Sequence, residues 1–232
     1  MIRAGAVLIA LAAACAAPSK TPDPVVSETS KELFVRSVTA LFRGTAKMPA
    51  ETLEELLEAE NNVPDSLAAE LLRYSTPGAE AARAMIKADP ENAEAHLLLA
   101  IHLSMQGIAK GKTKSFFEGL PSEVIDAYEE AMRINRGAMS AGPLQVQGRF
   151  RTVVAFPYRD IDEAQAALVE ATKLAPTKQT LFYLGDAYAW QGNLDEARTA
   201  WNRSLSAKTA PTSAAIAPFL DQLVQRRLQM IR

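Results

Sequence analysis

Apolar residues recur three or four positions apart along most of the chain, and this spacing is typical of amphipathic α-helices. Leu181, Leu184 and Tyr188, for example, fall on one face of a helix. We find no convincing alternation of apolar and polar residues of the kind that strands show. The pattern predicts an all-α fold with helices at residues 30–42, 50–60, 65–74, 79–88, 93–106, 122–134, 144–154, 161–174, 178–191, 194–206 and 213–231.

The segment from Lys178 onward contains a helix-turn-helix pattern with small and aromatic residues at fixed spacing. Gly185 and Ala197 would let two helices approach closely, while Tyr188 and Trp201 would fill the layer between neighbouring units. In order and spacing the segment resembles a tetratricopeptide repeat, a 34-residue unit of two helices. The matching positions are Leu181, Leu184, Gly185, Tyr188, Gly192, Ala197, Trp201 and Leu205.

Two further segments fit the same unit less closely, each with an insertion. Since three such units can share a continuous core, the resemblance implies a superhelical stack of antiparallel helix pairs. The helices before Pro90 would be degenerate members of this stack. Residues 213–231 would form a C-terminal capping helix, with Arg226 and Arg227 away from its apolar side. The weaker matches are Pro90, His96, Leu99, Leu103, Gly107, Tyr128 and Ala131, then Leu144, Gly148, Ala164, Leu168, Ala171 and Pro176.

The first residues predict an export signal followed by a membrane anchor. Arg3 precedes an uncharged run that ends at Cys15, which is the layout of a secretory signal over residues 1–14. Leu11-Ala12-Ala13-Ala14-Cys15 resembles the bacterial lipobox, which implies lipidation of Cys15, although the large aliphatic residue stands one position early. Two alternatives stay open: plain cleavage after an Ala-x-Ala site, and a retained apolar helix.

The segment that follows Cys15 is rich in proline and hydroxyl residues, so residues 15–30 are predicted to form a flexible tether. Residues 31–232 would then form one helical domain. Because Cys15 is the single cysteine of the chain, that domain has no disulfide. The chain carries 25 basic and 27 acidic residues, a balance that does not favour nucleic-acid binding.

These features together predict a bacterial envelope protein that is lipid-anchored and faces the periplasm. Ala16 replaces the aspartate that holds some lipoproteins at the inner membrane, which favours the outer membrane. With Gly148-Arg149 and Phe156-Pro157, the chain weakly resembles the tetratricopeptide lipoproteins that accompany tripartite ATP-independent periplasmic transporters. That resemblance implies transporter subunits as partners.

The first helix of each repeat lines the concave side of such a stack, so residues four apart on these helices predict a binding surface. It would be mainly apolar, with one facing pair of charges at Arg149 and Asp186. An amphipathic segment of another envelope protein or peptide would fit, as would an apolar solute, or a carboxylate-bearing one paired with Arg149. Alternatively, the stripe is covered core. The predicted residues are Leu97, Ile101, Met105, Gln145, Arg149, Phe182, Asp186 and Trp190.

One segment, Gly107 to Thr113, is a near-match to a phosphate-binding loop, but it is one residue short and follows a helix where that motif needs a strand. It is better interpreted as an insertion with solvated lysines at 110, 112 and 114. Phe116 and Phe117 would fold back onto the stack. A sharper hypothesis makes this insertion a contact for anionic headgroups or a partner.

Catalytic and metal chemistry find little support in the sequence. His96 and His102 lie on different helix faces and cannot share a metal ion. The glutamates at 51, 54, 55 and 58 predict a solvated face, since catalytic carboxylates need burial to separate their pKa values. There is no Gly-x-Ser-x-Gly motif. We therefore expect a non-enzymatic protein without metal or cofactor.

Overall fold

Residues 24–231 are described by a computed structural model, with side chains from Ser30 to Ile231. The predicted signal segment and Cys15 lie outside these residues. No helix in the described part of the chain combines the length and hydropathy needed to cross a bilayer. Short 3-10 helices lie at Ala59–Asn61 and Pro211–Ile216. The α-helices are α1 (Pro24–Lys47), α2 (Leu53–Leu57), α3 (Asp65–Ala88), α4 (Ala93–Lys110), α5 (Lys112–Phe117), α6 (Leu120–Asn135), α7 (Ala138–Val153), α8 (Ile161–Leu174), α9 (Lys178–Trp190), α10 (Leu194–Ser206) and α11 (Ala217–Met230).

The long helices pack in pairs: α1 with α3, α4 with α6, α7 with α8, and α9 with α10. Glycines allow the close approach within two of these pairs. A Cβ atom on Gly185 would lie 2.4 Å from Trp201 Cδ1, and one on Gly148 would lie 2.3 Å from Leu168 Cγ. The predicted all-α fold of stacked helix pairs is confirmed.

Side-chain caps fix where several of these helices begin. The side chain of Asn92 accepts a hydrogen bond from the Ala95 amide at the start of α4. Asp160 caps α8 and Thr177 caps α9 in the same way, each accepting from the amide three residues ahead. Such caps satisfy amide groups that a helix end would otherwise leave unpaired.

The region before α4 differs from the prediction in two places. The predicted helices 65–74 and 79–88 form the single helix α3, because Leu71, Ser75, Gly78 and Ala82 continue one buried face past Pro77. The predicted helix 50–60 is shorter, consisting of α2 and the 3-10 helix Ala59–Asn61.

Helix α1 begins at Pro24, within the segment 15–30 that was predicted as a tether. Ser30 is fully buried, and its hydroxyl donates to the Gly78 carbonyl oxygen at 3.3 Å. The apolar residues Phe34 and Val38 continue the buried face of this helix. The last residues of the predicted tether are therefore helical.

The inner helices form a closed ring. Helix α1 packs against α4, α4 against α7, α7 against α9, α9 against α11, and α11 against α1 again. The Phe42 and Phe182 ring centroids lie 6.1 Å apart across this closure. The predicted capping helix thus covers α9 and α10 and also joins the two ends of the described chain.

Arg226 connects α11 to the C-terminal end of α1 by hydrogen bonds. Its guanidinium donates to the carbonyl oxygens of Ala46 at 2.9 Å and Met48 at 2.7 Å, at the C-terminal end of α1. A cation at this position satisfies carbonyl groups that the helix leaves unpaired and lies favourably in the helix dipole.

Candidate functional site

The ring surrounds a cavity of about 680 Å³. Helices α1, α4, α7 and α9 form its wall, together with the two 3-10 helices, and α5 and the loop after α7 lie at one side. Its lining is mainly apolar, and its volume is in the range of pockets for small molecules. Representative lining residues are Phe34, Val38, Ile101, Met105, Val146 and Phe150.

Five of the eight predicted binding residues line this cavity. Three come from α4 and two from α7, so the predicted stripe continues from one helix to the next. These residues are Leu97, Ile101, Met105, Gln145 and Arg149. Whether they contact a ligand stays a prediction.

The three predicted residues on α9 lie elsewhere. Phe182 and Asp186 are fully buried behind the cavity wall. Trp190 stacks under Arg159, whose guanidinium carbon is 4.5 Å from the ring centroid. From α9 it is Gln179 and Tyr183 that line the cavity. Tyr183 lies one residue past Phe182, so the helix is rotated by about 100° from the orientation that the sequence predicted.

Asp186 is the centre of a buried ionic cluster. Both of its carboxylate oxygens accept hydrogen bonds from Arg227, and Oδ2 also accepts from Arg149 Nη1 at 2.8 Å. Trp201 Nε1 donates to Oδ1 at 3.1 Å. Arg227 was expected on the polar side of the capping helix, and that expectation is wrong, because the guanidinium is fully buried against this carboxylate.

Arg149 joins this cluster to the cavity. Its Nε donates to Glu60 Oε2 at 3.2 Å, and its Nη2 donates to the other oxygen of Glu60. Burial opposes the charge on Arg149, but Glu60 and Asp186 outweigh burial and raise its pKa. The guanidinium is thus already paired with two carboxylates, and the geometry does not favour the ligand carboxylate that the sequence suggested for it.

Aromatic rings cover the two arginines of the cluster. The Arg149 guanidinium lies 5.0 Å from the centroid of Tyr183, and that of Arg227 lies 4.5 Å from the centroid of Phe182. Stacking of this kind adds attraction between the cation and the ring face. Burial raises the pKa of Tyr183, so its hydroxyl stays protonated near neutral pH. The inner end of the cavity is polar and balanced in charge.

Three phenylalanines lie at the entrance of the cavity. Phe116 is 48% exposed, Phe117 83% and Phe156 90%, and all three belong to the cavity lining. The prediction that Phe116 and Phe117 fold back onto the stack is wrong for Phe117. Helix α5 instead buries Ser115, whose hydroxyl donates to the Gly111 carbonyl oxygen at 2.8 Å. We call Phe116, Phe117 and Phe156 the aromatic rim.

Charged residues surround the aromatic rim and pair with one another. Lys110 binds Glu118 at 2.7 Å, and Lys112 binds Glu58 at 3.2 Å. Glu58 also accepts from Arg159. Burial opposes ionisation of Glu58, but these donors outweigh it and lower the pKa. Glu58 therefore belongs to the entrance and not to the solvated face predicted for it.

Sequence reasoning missed the contribution of α1 to the cavity. Phe34, Val38 and Leu41 line it, and their spacing was visible in the sequence as one helix face. Glu60 gave no comparable signal, because its partner Arg149 lies 89 residues away along the chain.

Comparisons with known proteins agree with the repeat pattern. Residues 159–214 match the tetratricopeptide repeat family, and they include the unit predicted at Lys178. Among solved structures, the chain is similar to a thermophilic tetratricopeptide repeat protein of Thermus thermophilus, with 19% identity and a TM-score of 0.51, over 75% of this chain and 87% of that one. It also matches MamA, with 21% identity and a TM-score of 0.42, over 68% and 86%. No curated protein sequence matches.

The likeness to the Thermus thermophilus structure shows the helical-repeat fold alone. The ring closure, the cavity and the aromatic rim are properties that we describe from this chain itself.

Proposed function

We propose that the protein is a non-enzymatic interaction scaffold that binds an apolar segment of another protein at the aromatic rim. The tetratricopeptide-type fold suggests protein interaction as the general role. The specific proposal rests on one observation: Phe117 and Phe156 are exposed and both line the entrance of an apolar cavity. Clustered exposed apolar surface of this kind usually marks a contact site.

The charges around the rim define the kind of segment that would fit. The glutamates at 58 and 118 face the lysines at 110 and 112, so the surroundings of the rim are paired and polar. An amphipathic segment could place its apolar face on the phenylalanines and its polar face toward these pairs. Such an arrangement is the usual combination of an apolar centre and a polar periphery in protein interfaces.

Affinity purification from detergent-solubilised membranes tests this proposal. Wild type is compared with the double variant Phe117→Ser/Phe156→Ser and with Leu174→Ser, a control at a leucine that is 55% exposed and does not line the cavity. We expect a partner that is retained by wild type and the control but lost from the double variant. A double variant that retains every partner at the wild-type level would refute the rim as the contact.

We further propose that Cys15 carries a lipid that holds the protein in the bacterial envelope, facing the periplasm. The support is the lipobox-like sequence that ends at Cys15 after an apolar run. Cys15→Ala should abolish incorporation of labelled palmitate and release the protein from membranes. Unchanged membrane retention of this variant would contradict the anchor, and it would leave the rim proposal untouched.

A further inference from the structure

The interior of the cavity has a chemistry of its own, distinct from the rim. Its wall is formed by aliphatic and aromatic side chains of α1, α4 and α7, such as Val38, Ile101 and Val146. Ile101 and Val146 are only partly buried, because they face the cavity space. Transfer of an apolar molecule from water to such a wall is favourable, because it removes apolar surface from contact with water.

The charged groups that line the interior pair within the protein. Glu60 and Arg149 bind each other, and Arg149 also binds Asp186. With Arg227 on Asp186, the cluster holds two cations and two carboxylates. A charged ligand would lose hydration here without gaining an unpaired counter-ion, and such a loss is costly in an apolar site.

Polar but uncharged groups of the lining are also largely engaged. Gln145 Nε2 donates to the Ser140 carbonyl oxygen at 2.6 Å, and Ser104 donates to the Ala100 carbonyl oxygen at 2.8 Å. Gln179 Nε2 donates to the Tyr183 hydroxyl at 2.9 Å. The Tyr183 hydroxyl accepts this bond and still has its own proton to donate, so one neutral oxygen could be accommodated at this end.

We infer that the cavity binds an uncharged aliphatic chain, with any hydroxyl group placed toward Tyr183. The chain would enter between the phenylalanines of the aromatic rim and lie against α1, α4 and α7. This inference goes beyond the proposed function, because it concerns the interior and does not require a protein partner at the rim.

The purified full-length protein with Cys15→Ala, which carries no lipid of its own, tests the inference with N-phenyl-1-naphthylamine, an uncharged probe whose fluorescence rises in apolar surroundings. We expect the probe to bind and 1-decanol to displace it. Displacement by decanoate should need a concentration at least about tenfold higher, since its carboxylate finds no free cation in the cavity. Equal displacement by decanoate and 1-decanol, or no displacement by 1-decanol, would overturn the inference.

Two tryptophan variants test whether the probe binds inside the cavity. Ile101→Trp should fill it and reduce probe binding at least about tenfold, while Leu174→Trp, on the outer surface, should not change it. If Ile101→Trp fails to fold, as judged by circular dichroism, Val146→Trp replaces it. Probe binding that survives in a folded, cavity-filled variant would refute the site.

Two sources could supply an aliphatic chain, and a second arm of the experiment separates them. The same full-length protein is incubated with phosphatidylcholine vesicles, re-isolated by size exclusion and extracted for lipid. Phospholipid recovered with wild type but not with Ile101→Trp would identify a bilayer lipid as the source. Recovery with neither, alongside displacement by 1-decanol, would identify a free aliphatic molecule.

The variant Ile101→Trp keeps this inference separate from the proposed function. It should lose 1-decanol and still bind the protein partner at the rim, because Ile101 lines the cavity and does not belong to the rim. Loss of the partner from folded Ile101→Trp would contradict the separation of rim and interior. Retention of 1-decanol by this variant would refute the cavity site and leave the rim proposal untouched.

Discussion

Arg227 donates hydrogen bonds to both carboxylate oxygens of Asp186. Its Nε lies 2.7 Å from Oδ1, and its Nη2 lies 2.9 Å from Oδ2. The two residues come from α11 and α9, so this pair fixes the capping helix on the last helix pair. Burial lowers the pKa of Arg227, and this effect exceeds the opposing effect of the Asp186 carboxylate, which raises it. The arginine nevertheless remains protonated near neutral pH. A buried cation therefore depends on this carboxylate.

Asp186→Asn should destabilise the protein by about 3–5 kcal/mol, because it leaves buried arginine charge without its counter-ion. Asp195→Asn is the control: it breaks an ion pair with Arg198 in which the aspartate side chain is 91% exposed. Its effect should stay within about 0.5 kcal/mol. Urea unfolding measures both, and equal stabilities for the two variants would contradict the role given to the cluster.

Gly185→Ala should destabilise by about 1–3 kcal/mol, since the new methyl group would lie 2.4 Å from Trp201 Cδ1 and force α9 and α10 apart. Gly107→Ala provides the comparison. Its nearest neighbour would be 3.9 Å away, and alanine is the better helix former, so this change should stabilise by about 0.5–1 kcal/mol. Thermal unfolding of both proteins would show shifts of opposite sign.

His102 predicts a pH dependence of stability. The ring is fully buried, Nε2 lies 3.3 Å from the Ser30 carbonyl oxygen, and burial lowers the pKa from 6.5 to about 4. Because the folded-state pKa is depressed, the unfolded chain takes up the proton first as the pH falls. The contribution of the neutral His102 ring to the free energy of unfolding is complete above pH 6.5. It is lost progressively toward pH 4, by up to about 3 kcal/mol.

His102→Gln should remove this part of the pH dependence, whereas His96→Gln should keep it. Chemical unfolding at several pH values between neutral and the depressed pKa of His102 gives the slopes. Parallel slopes for wild type and His102→Gln would show that the histidine does not titrate as burial demands.

Arg226→Ala should loosen the ring closure, because three carbonyl oxygens at the end of α1 lose a charged donor. We expect a loss of about 1.5–3 kcal/mol and faster hydrogen exchange in the last turn of α1. Arg203→Ala, at an exposed position of α10, should change neither. Unchanged exchange at residues 45–48 in Arg226→Ala would argue against this contact.

Local patterns predicted most of the fold. The helices from α8 to α10 begin and end close to the predicted positions, because capping residues such as Asp160 and Thr177 and the small residues Gly185 and Ala197 act over short distances. The single helix α3 was missed because Pro77 is a strong signal for a break. Tertiary packing of Gly78 against His102 outweighs that signal.

The site was harder to predict for the same physical reason. The stripe on α4 and α7 depends only on helix periodicity, and its five residues do line the cavity. The orientation of α9 depends on Asp186, which turns inward to meet Arg227 and Trp201. Such long-range pairing leaves no periodic pattern, so the sequence alone leaves open whether Phe182 and Asp186 line the groove or belong to the covered core, where the structure places them.

Site-specific photocrosslinking tests the central claim, that a partner binds at the aromatic rim, most directly. A p-benzoylphenylalanine is placed at Phe117, at Phe156 or, as control, at Leu174, and irradiated in intact cells. The account predicts one shared crosslinked protein at positions 117 and 156 and none at 174. Crosslinking at 174 equal to that at the two rim positions, or none at either rim position, would contradict it.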